Sequence, residues 1–195
     1  MTAVFFPSFF EEVIFWAAFI SWVGYFAIRA VLAQLRNKTS AKKTEPNRLA
    51  NLPNVALVII FVAVWLGYAR IGPLPNWLFY PGIALVILGT VISHWAISVL
   101  GRFYNQTVTV MSNHRLIDRG PYRLIRHPQY TGMLLGILGF ALALQSWAAI
   151  LLLFVGGSLL FWVRMYFEER FLLTHLGDEY ARYYGKTKRL IPFIL

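Results

Sequence analysis

The sequence predicts an all-α integral membrane protein with about five transmembrane helices. Of its 195 residues, 58% are hydrophobic and only 13% are charged, and its mean hydropathy is +0.60. Soluble domains carry about 25% charged and about 45–50% apolar residues. The apolar residues here fall in separate blocks, several of which approach the roughly 20 residues that a helix needs to cross the hydrocarbon of a bilayer.

The amino-terminal part, residues 1–100, contains three predicted spans. A polar loop separates the first two, and its composition is typical of a cytoplasmic loop with little reason to pack in a core. The second and third spans are joined by residues 71–76, which are too few and too rich in Gly and Pro for anything but a sharp turn. The three spans lie at about 13–33, 55–68 and 77–100.

The carboxyl-terminal part, residues 101–195, begins with a polar segment that holds five arginines. Two more spans follow, at about 128–144 and 147–167. They are separated only by Gln145 and Ser146, which predicts a tight helical hairpin. From Glu168 onward the chain is typical of a cytoplasmic amphipathic helix with a short terminal segment. The whole chain, 1–195, is expected to form a single membrane domain.

The basic residues predict the orientation of the chain. Five of the 18 Lys and Arg lie between the first two spans, five between the third and fourth, and six from Arg164 onward. Because cytoplasmic loops carry an excess of Lys and Arg, we expect these segments and the carboxyl terminus in the cytoplasm and the amino terminus outside. The same placement explains the net charge of +10 without a nucleic-acid partner.

The polar segment and the start of span four form the first informative region, HRLIDRGPYRLIRHPQYTG, from His114 to Gly132. Pro128 is well suited to begin a helix, since its missing N–H would have no helical partner there. His127 would then lie at a helix amino terminus, where free N–H groups can bind a carboxylate. The alternative is a basic loop that binds anionic lipid headgroups.

The second informative region lies at the end of span five. Arg164 and Glu168 are four residues apart, so they share a helix face, and Glu169 follows directly. Two adjacent acids near the hydrocarbon are costly, and a cationic partner would offset that cost. The alternative is an ion pair that helps the helix to leave the bilayer.

Together, HRLIDRGPYRLIRHPQYTG and EERFLLTHLGDEYARYYGKTKRLIPFIL resemble the isoprenylcysteine carboxyl methyltransferase family and, more broadly, the membrane phospholipid methyltransferases. The resemblance covers about residues 106–195. It implies that 101–195 is the catalytic half and that S-adenosylmethionine, with S-adenosylhomocysteine as its product, binds in a cytoplasm-facing pocket. A soluble dinucleotide-type fold is excluded, because the sequence has no Gly-rich phosphate loop.

The resemblance also implies roles for individual residues. Arg164 matches a residue assigned to the substrate and Glu168 a cofactor-contacting acid, and both are candidates for the catalytic site. Glu169 is a further cofactor-binding candidate. The other positions that match cofactor-binding stretches are Gln106, His114, Arg115, Leu116, Ile117, Tyr122, His127, Pro128, Gln129 and Tyr130.

The implied acceptor is lipophilic, and the resemblance favours a carboxyl-terminal prenylcysteine or an analogous small substrate, with a phospholipid amine as the alternative. A prenylcysteine carboxylate is ionised at pH 7, given a terminal carboxyl pKa of about 3.3–3.7, and needs only orientation by Arg164. A phospholipid amine must lose a proton, which makes Glu168 or Glu169 a candidate base. The non-enzymatic alternative is a small lipid-binding scaffold, which explains the basic loops but leaves the acidic pair unexplained. A transporter is disfavoured because the spans offer almost no polar groups apart from His94.

Three further expectations concern packing and metals. His94 is expected to form a hydrogen bond between helices. Gly132, Gly136 and Gly139 form a small-residue stripe that is expected to allow close packing within the hairpin, with a second role for Gly136 in making room for the cofactor. With no Cys and four scattered His, neither a thiolate nucleophile nor a metal site is expected.

Overall fold

The structure, a computed structural model, describes residues 6, 8–37, 41–44, 52–104, 109–111 and 116–192. Helices dominate this part of the chain, accompanied by two short strands. A π-helical turn at Leu151–Val155 joins α5 (Trp147–Ile150) and α6 (Gly156–Leu176) into one continuous helix. The elements are α1 Phe9–Asn37, β1 Ala41–Thr44, α2 Leu52–Tyr68, α3 Phe79–Leu100, β2 Thr109–Met111, α4 Pro128–Ala143, α5 Trp147–Ile150, α6 Gly156–Leu176 and α7 Asp178–Lys186.

Three stretches are long and apolar enough to cross a bilayer: Phe9–Leu35, Asn76–Phe103 and Trp147–Leu176. Helices α2 and α4 are shorter, with 17 and 16 residues. The predicted helical membrane fold is therefore confirmed. The count of five spans stays a prediction.

The last long helix extends further than its sequence predicts. The apolar block ends near Phe167, yet α6 continues through both acids to Leu176 and stops only at Gly177, whose φ is +56°. A φ in this range suits Gly, which lacks the Cβ that makes it unfavourable. The amphipathic helix expected from Glu168 is thus the end of α6 followed by a separate short helix, α7, and the predicted boundary is wrong.

Hydrogen bonds between loops place the connections at two opposite ends of the helices. Strands β1 and β2 pair antiparallel and so join the two basic loops. At the other end, Leu74 N donates to Gln145 O (2.8 Å) and Trp147 N donates to Gly72 O (2.8 Å). The basic loops therefore lie together, away from the two short turns.

The glycine stripe packs against α3 and not within the hairpin, so that expectation is wrong. A Cβ added to Gly132 would lie 2.5 Å from the carbonyl oxygen of Gly89, and one added to Gly139 would lie 2.5 Å from that of Gly82. Without side chains at these positions, the backbones of α3 and α4 approach closely. Gly136 faces the indole of Trp22 on α1, with Nε1 3.0 Å from an added Cβ.

Helix α1 packs on α3 and α4 through aromatic side chains. The ring of Phe140 on α4 lies 5.8 Å from that of Phe15 and 5.5 Å from that of Phe19. On α3, His94 Nδ1 is hydrogen-bonded to the hydroxyl of Tyr25 at 2.8 Å. The expected bond between helices at His94 is present.

Candidate functional site

One large cavity lies where α1, α2, α4, α6 and α7 meet the end of α3. Its volume is about 490 Å³, within the range of about 300–1,000 Å³ that small-molecule sites occupy. Its lining combines the ionisable side chains grouped around Tyr130, which we call the polar end, with many apolar side chains. Such a cavity can accept a ligand that is polar at one end and apolar at the other.

The polar end is organised around the hydroxyl of Tyr130. Arg164 Nε donates a hydrogen bond to this oxygen (2.6 Å), and the hydroxyl donates to Glu168 Oε2 (2.8 Å). All three side chains line the cavity. The sequence places Arg164 and Glu168 on one helix face, and the structure adds Tyr130 from α4 as the bridge between them.

The start of α4 forms a second wall. Pro128 opens the helix with His127 at the cap position, as the sequence predicts. The imidazole of His127 lies against the ring of Tyr130 (centroids 5.4 Å apart, planes 27°), and the ring of Phe161 lies 5.2 Å from that of Tyr130. These contacts hold the Tyr130 ring, and with it the hydroxyl, in place.

The lining residues that precede Arg164 on α6 and in the π-helical turn are apolar, and we call this part of the cavity the apolar arm. Arg164 and Leu153 both line the cavity and are eleven residues apart, which corresponds to about 16 Å of helix. The arm can therefore hold a hydrocarbon chain while the chain's polar end lies beside Arg164. Its walls are formed by Trp22, Ile59, Ile60, Ile137, Leu153 and Gly157.

Buried tyrosines close the cavity on the side of α7. Burial raises the pKa of Tyr122, Tyr180 and Tyr183 above its usual value, so these phenols are neutral at physiological pH. The hydroxyl of Tyr183 donates to the carbonyl oxygen of Tyr122 at 2.7 Å, which attaches α7 to the segment before α4. These residues supply aromatic walls without adding charge.

Glu169 faces away from the cavity. Its side chain is 3% exposed and accepts from Arg126 Nε (2.8 Å), His127 Nε2 (3.2 Å) and the guanidinium of Arg189. Adjacent acids on a helix point in different directions, and here Glu168 reaches the cavity while Glu169 reaches the carboxyl-terminal segment. Glu169, for which a cofactor contact was expected, therefore does not line the cavity.

Most of the other site residues expected from the sequence come together. Pro128, like Glu169, does not line the cavity, although it begins the helix that does. Gln106, His114 and Arg115 lie outside the described residues. Those that line the cavity are Leu116, Ile117, Tyr122, His127, Gln129, Tyr130, Arg164 and Glu168.

Several lining residues were not expected from the sequence. Arg126 adjoins the His-Pro pair and could have been included on that ground. Tyr180 and Tyr183 are three apart on a short amphipathic helix, which indicates a buried face but not its partner. No sequence pattern indicated that Tyr104 and Trp22 line the cavity. Within the part of the chain that the structure describes, no group of three or more His, Asp or Glu residues could hold a metal ion.

The fold and the cavity define a helical integral membrane protein whose helices enclose a cavity of small-molecule size. The family model for phospholipid methyltransferases, PEMT, matches residues 77–179, more than half of the chain. The chain belongs to this family. The matched residues include the α3–α4 pair, Tyr130, Arg164 and Glu168.

Individual relatives agree with the resemblance to the isoprenylcysteine carboxyl methyltransferases. The chain is 35% identical over 121 residues to a probable protein-S-isoprenylcysteine O-methyltransferase of Oryza sativa subsp. indica, covering 59% of this chain and 61% of that one. It is 32% identical over 121 residues to the protein-S-isoprenylcysteine O-methyltransferase of Tribolium castaneum, covering 61% and 43%. The chain thus spans about three fifths of the Oryza relative.

A solved structure shares the fold. The eukaryotic intramembrane Ras methyltransferase ICMT, an isoprenylcysteine carboxyl methyltransferase, superimposes with a TM-score of 0.66 at 24% identity. The match covers 94% of this chain and 68% of that one. At this level of identity the likeness shows the fold alone.

Proposed function

We propose that this protein is an S-adenosylmethionine-dependent methyltransferase whose acceptor is a lipophilic carboxylate, such as a carboxyl-terminal prenylcysteine or an analogous small substrate. One observation carries the proposal. The Tyr130 hydroxyl connects a cation, Arg164, and an anion, Glu168, at the junction of the polar end and the apolar arm. The names of the Oryza and Tribolium relatives support it.

The residues present fit the cofactor. S-adenosylmethionine carries a sulfonium and an ammonium, a carboxylate and a flat adenine. Glu168 offers an anion to the cations, while Arg126 and His127 at the start of α4 offer donors to the carboxylate. The aromatic wall that includes Tyr122 and Tyr180 offers flat surfaces to the adenine. We assign cofactor binding to Leu116, Ile117, Tyr122, His127, Gln129, Tyr130 and Glu168, and, beyond the described residues, to Gln106, His114 and Arg115.

The protein's part in the chemistry is to bind and orient. When bound, the cofactor supplies a methyl group activated by the sulfonium. Arg164 holds the acceptor carboxylate, which is ionised at pH 7 because its pKa is about 3.3–3.7, so no side chain needs to remove a proton. The apolar arm holds the lipid chain and excludes water. Holding the two reactants in line supplies much of the acceleration of such a transfer.

A phospholipid amine is the alternative acceptor, and the description of the family favours it. An amine must lose its proton, and Glu168 is the acid that lines the cavity beside the acceptor end. Arg164 argues against this acceptor, because a fixed cation at the entrance of the arm repels an ammonium group and attracts a carboxylate. We therefore place the carboxylate first.

Binding and transfer assays test the proposal on the purified protein in nanodiscs. We expect S-adenosylhomocysteine to bind in calorimetry. We also expect transfer of a labelled methyl group to N-acetyl-S-farnesylcysteine, but not to phosphatidylethanolamine. Transfer to the phospholipid alone would establish the amine alternative. If S-adenosylhomocysteine does not bind at all, the proposal is wrong and a lipid-binding scaffold becomes the better account.

A further inference from the structure

Glu169 is the centre of a buried charge cluster behind the cavity wall. Its carboxylate binds three cationic or ionisable groups that come from two separate segments of the chain. Arg126 and His127 precede α4, and Arg189 follows α7. The side chain of Arg126 is 8% exposed and that of Arg189 14% exposed, so the cluster is largely withdrawn from solvent.

The same two segments are also joined through their backbones. Arg126 N donates to Lys188 O (2.7 Å) and His127 N donates to Arg189 O (3.0 Å). Arg126 further binds the carbonyl oxygens of Tyr184 and Thr187 and lies 4.1 Å above the ring of Tyr184. The carboxyl-terminal segment, residues 187–190, is thereby attached to the residues that begin α4.

Two of the three groups bound by Glu169 also line the cavity. Arg126 and His127 are wall residues, and the His127 ring lies against Tyr130, whose hydroxyl bridges Arg164 and Glu168. A continuous set of contacts therefore runs from Glu169 through His127 to the polar end of the site. Glu169 itself does not line the cavity.

We infer that Glu169 is a positioning residue for the cofactor site: it fixes Arg126 and His127 in the cavity wall by binding them together with Arg189 of the carboxyl-terminal segment. Removing one member of a buried ionic cluster leaves the remaining charges uncompensated, so the cations turn toward water. Both wall residues then leave the geometry that the ligand needs. The inference rests on the proposed function, because the ligand whose binding reports the geometry is S-adenosylhomocysteine.

The test compares Glu169→Gln with the wild type and with Glu179→Gln, the same substitution at an exposed position on α7. Calorimetry gives the dissociation constant and the stoichiometry for S-adenosylhomocysteine, and kinetics give KM and kcat for methyl transfer. We expect Glu169→Gln to raise the dissociation constant and the KM for S-adenosylmethionine at least tenfold at unchanged stoichiometry. Glu179→Gln is expected to match the wild type.

Limited proteolysis provides a readout that needs no ligand. The exposed Lys186 and Lys188 lie in or beside the attached segment. In Glu169→Gln, trypsin should cut at these positions at least fivefold faster than in the wild type. The charge-conserving Glu169→Asp shortens the side chain without removing the negative charge. Its affinity for S-adenosylhomocysteine should lie between those of the wild type and Glu169→Gln. If Glu169→Gln does not fold, the dissociation constant of Glu169→Asp tests the inference instead.

The outcomes separate this inference from the proposed function. If the wild type does not bind S-adenosylhomocysteine, the proposed function is wrong and the positioning role is lost with it. If the wild type binds and Glu169→Gln shows lower stoichiometry or lower stability at an unchanged dissociation constant, Glu169 is only structural and the inference is overturned. For a Glu169→Gln that does not fold, an unchanged dissociation constant in Glu169→Asp overturns it equally.

Discussion

Tyr130 Oη donates a hydrogen bond to Glu168 Oε2 across 2.8 Å and thereby links α4 to α6 inside the cavity. The same oxygen accepts from Arg164 Nε at 2.6 Å. One phenol therefore sets the distance between the cation assigned to the acceptor and the anion assigned to the cofactor. The two charges can act on different ligands while their relative position is held.

Removing this hydroxyl should weaken both ligand contacts. In Tyr130→Phe the ring keeps its packing against His127, but Glu168 loses its donor. We expect S-adenosylhomocysteine to bind more weakly by about 1–3 kcal/mol, the cost of leaving a buried polar group without its hydrogen-bond partner. Calorimetry measures the change, with Tyr166→Phe, at a half-exposed position on α6, as the control. Unchanged affinity in a folded Tyr130→Phe would remove the hydroxyl from the site.

Substitutions of Arg164 and Glu168 should have different effects on methyl transfer and on cofactor binding. Arg164→Ala is expected to lower kcat/KM for the acceptor at least tenfold, about 1.4 kcal/mol, and to leave S-adenosylhomocysteine affinity nearly intact. Glu168→Gln is expected to weaken cofactor binding itself. Arg170→Ala, at an exposed arginine six residues further along α6, serves as the control for loss of a positive charge.

A charge-reversed variant, Arg164→Glu with Glu168→Arg, tests the purely structural alternative. If the two residues form only an ion pair, the double variant should regain activity. Since each charge is proposed to have its own ligand, we expect the double variant to stay inactive although it is folded and inserted. Recovery of methyl transfer would contradict the assignment of both residues.

Because α3 and α4 approach closely, we expect one methyl group added between them to lower the stability of the protein. In Gly139→Ala the new Cβ would lie 2.5 Å from the carbonyl oxygen of Gly82, so one helix must shift. Overpacking of this kind costs about 1–3 kcal/mol and should lower the melting temperature measured in detergent. Gly24→Ala is the matched control, since nothing lies within 4 Å of an added Cβ there. Equal melting temperatures for the two variants would show that the helices are not in close contact.

The orientation of the chain is open to cysteine labelling, because the natural sequence contains no Cys. Glu179→Cys on α7 should react with a membrane-impermeant maleimide only from the cytoplasmic side. Asn76→Cys, in the exposed turn before α3, should react only from the opposite side. Labelling of both positions from one side would refute the predicted topology.

The sequence anticipated the parts of this protein that depend on local pattern. Blocks of apolar residues predict membrane helices because a helix forms hydrogen bonds between its own backbone N–H and C=O groups, which lipid cannot bond. Helices α2, α3 and α4 begin or end within a few residues of the prediction. The spacing of Arg164 and Glu168 predicts a shared face, because residues four apart are neighbours on the surface of any α-helix.

The error at Glu168 has a physical cause. A hydropathy average over a stretch of sequence ends a predicted span at charged residues. The average includes the free-energy cost of a charge in hydrocarbon, but it does not include the ion pairs and hydrogen bonds that offset this cost. In the structure Glu169 is bound by Arg126, His127 and Arg189, and Glu168 by Tyr130, so the helix continues for another eight residues to Leu176.

By itself, then, the sequence determined a helical membrane protein, the face that carries Arg164 and Glu168, and His127 at the start of α4. Tertiary structure alone decided that the glycines of α4 meet those of α3, that Tyr130 lies between the two charges, and that neighbouring acids serve different sites. The reason is that these contacts join residues 34 to 57 positions apart, as from Tyr130 to Arg164, from Gly89 to Gly132 and from Gly82 to Gly139, and only the packing of the helices brings them together.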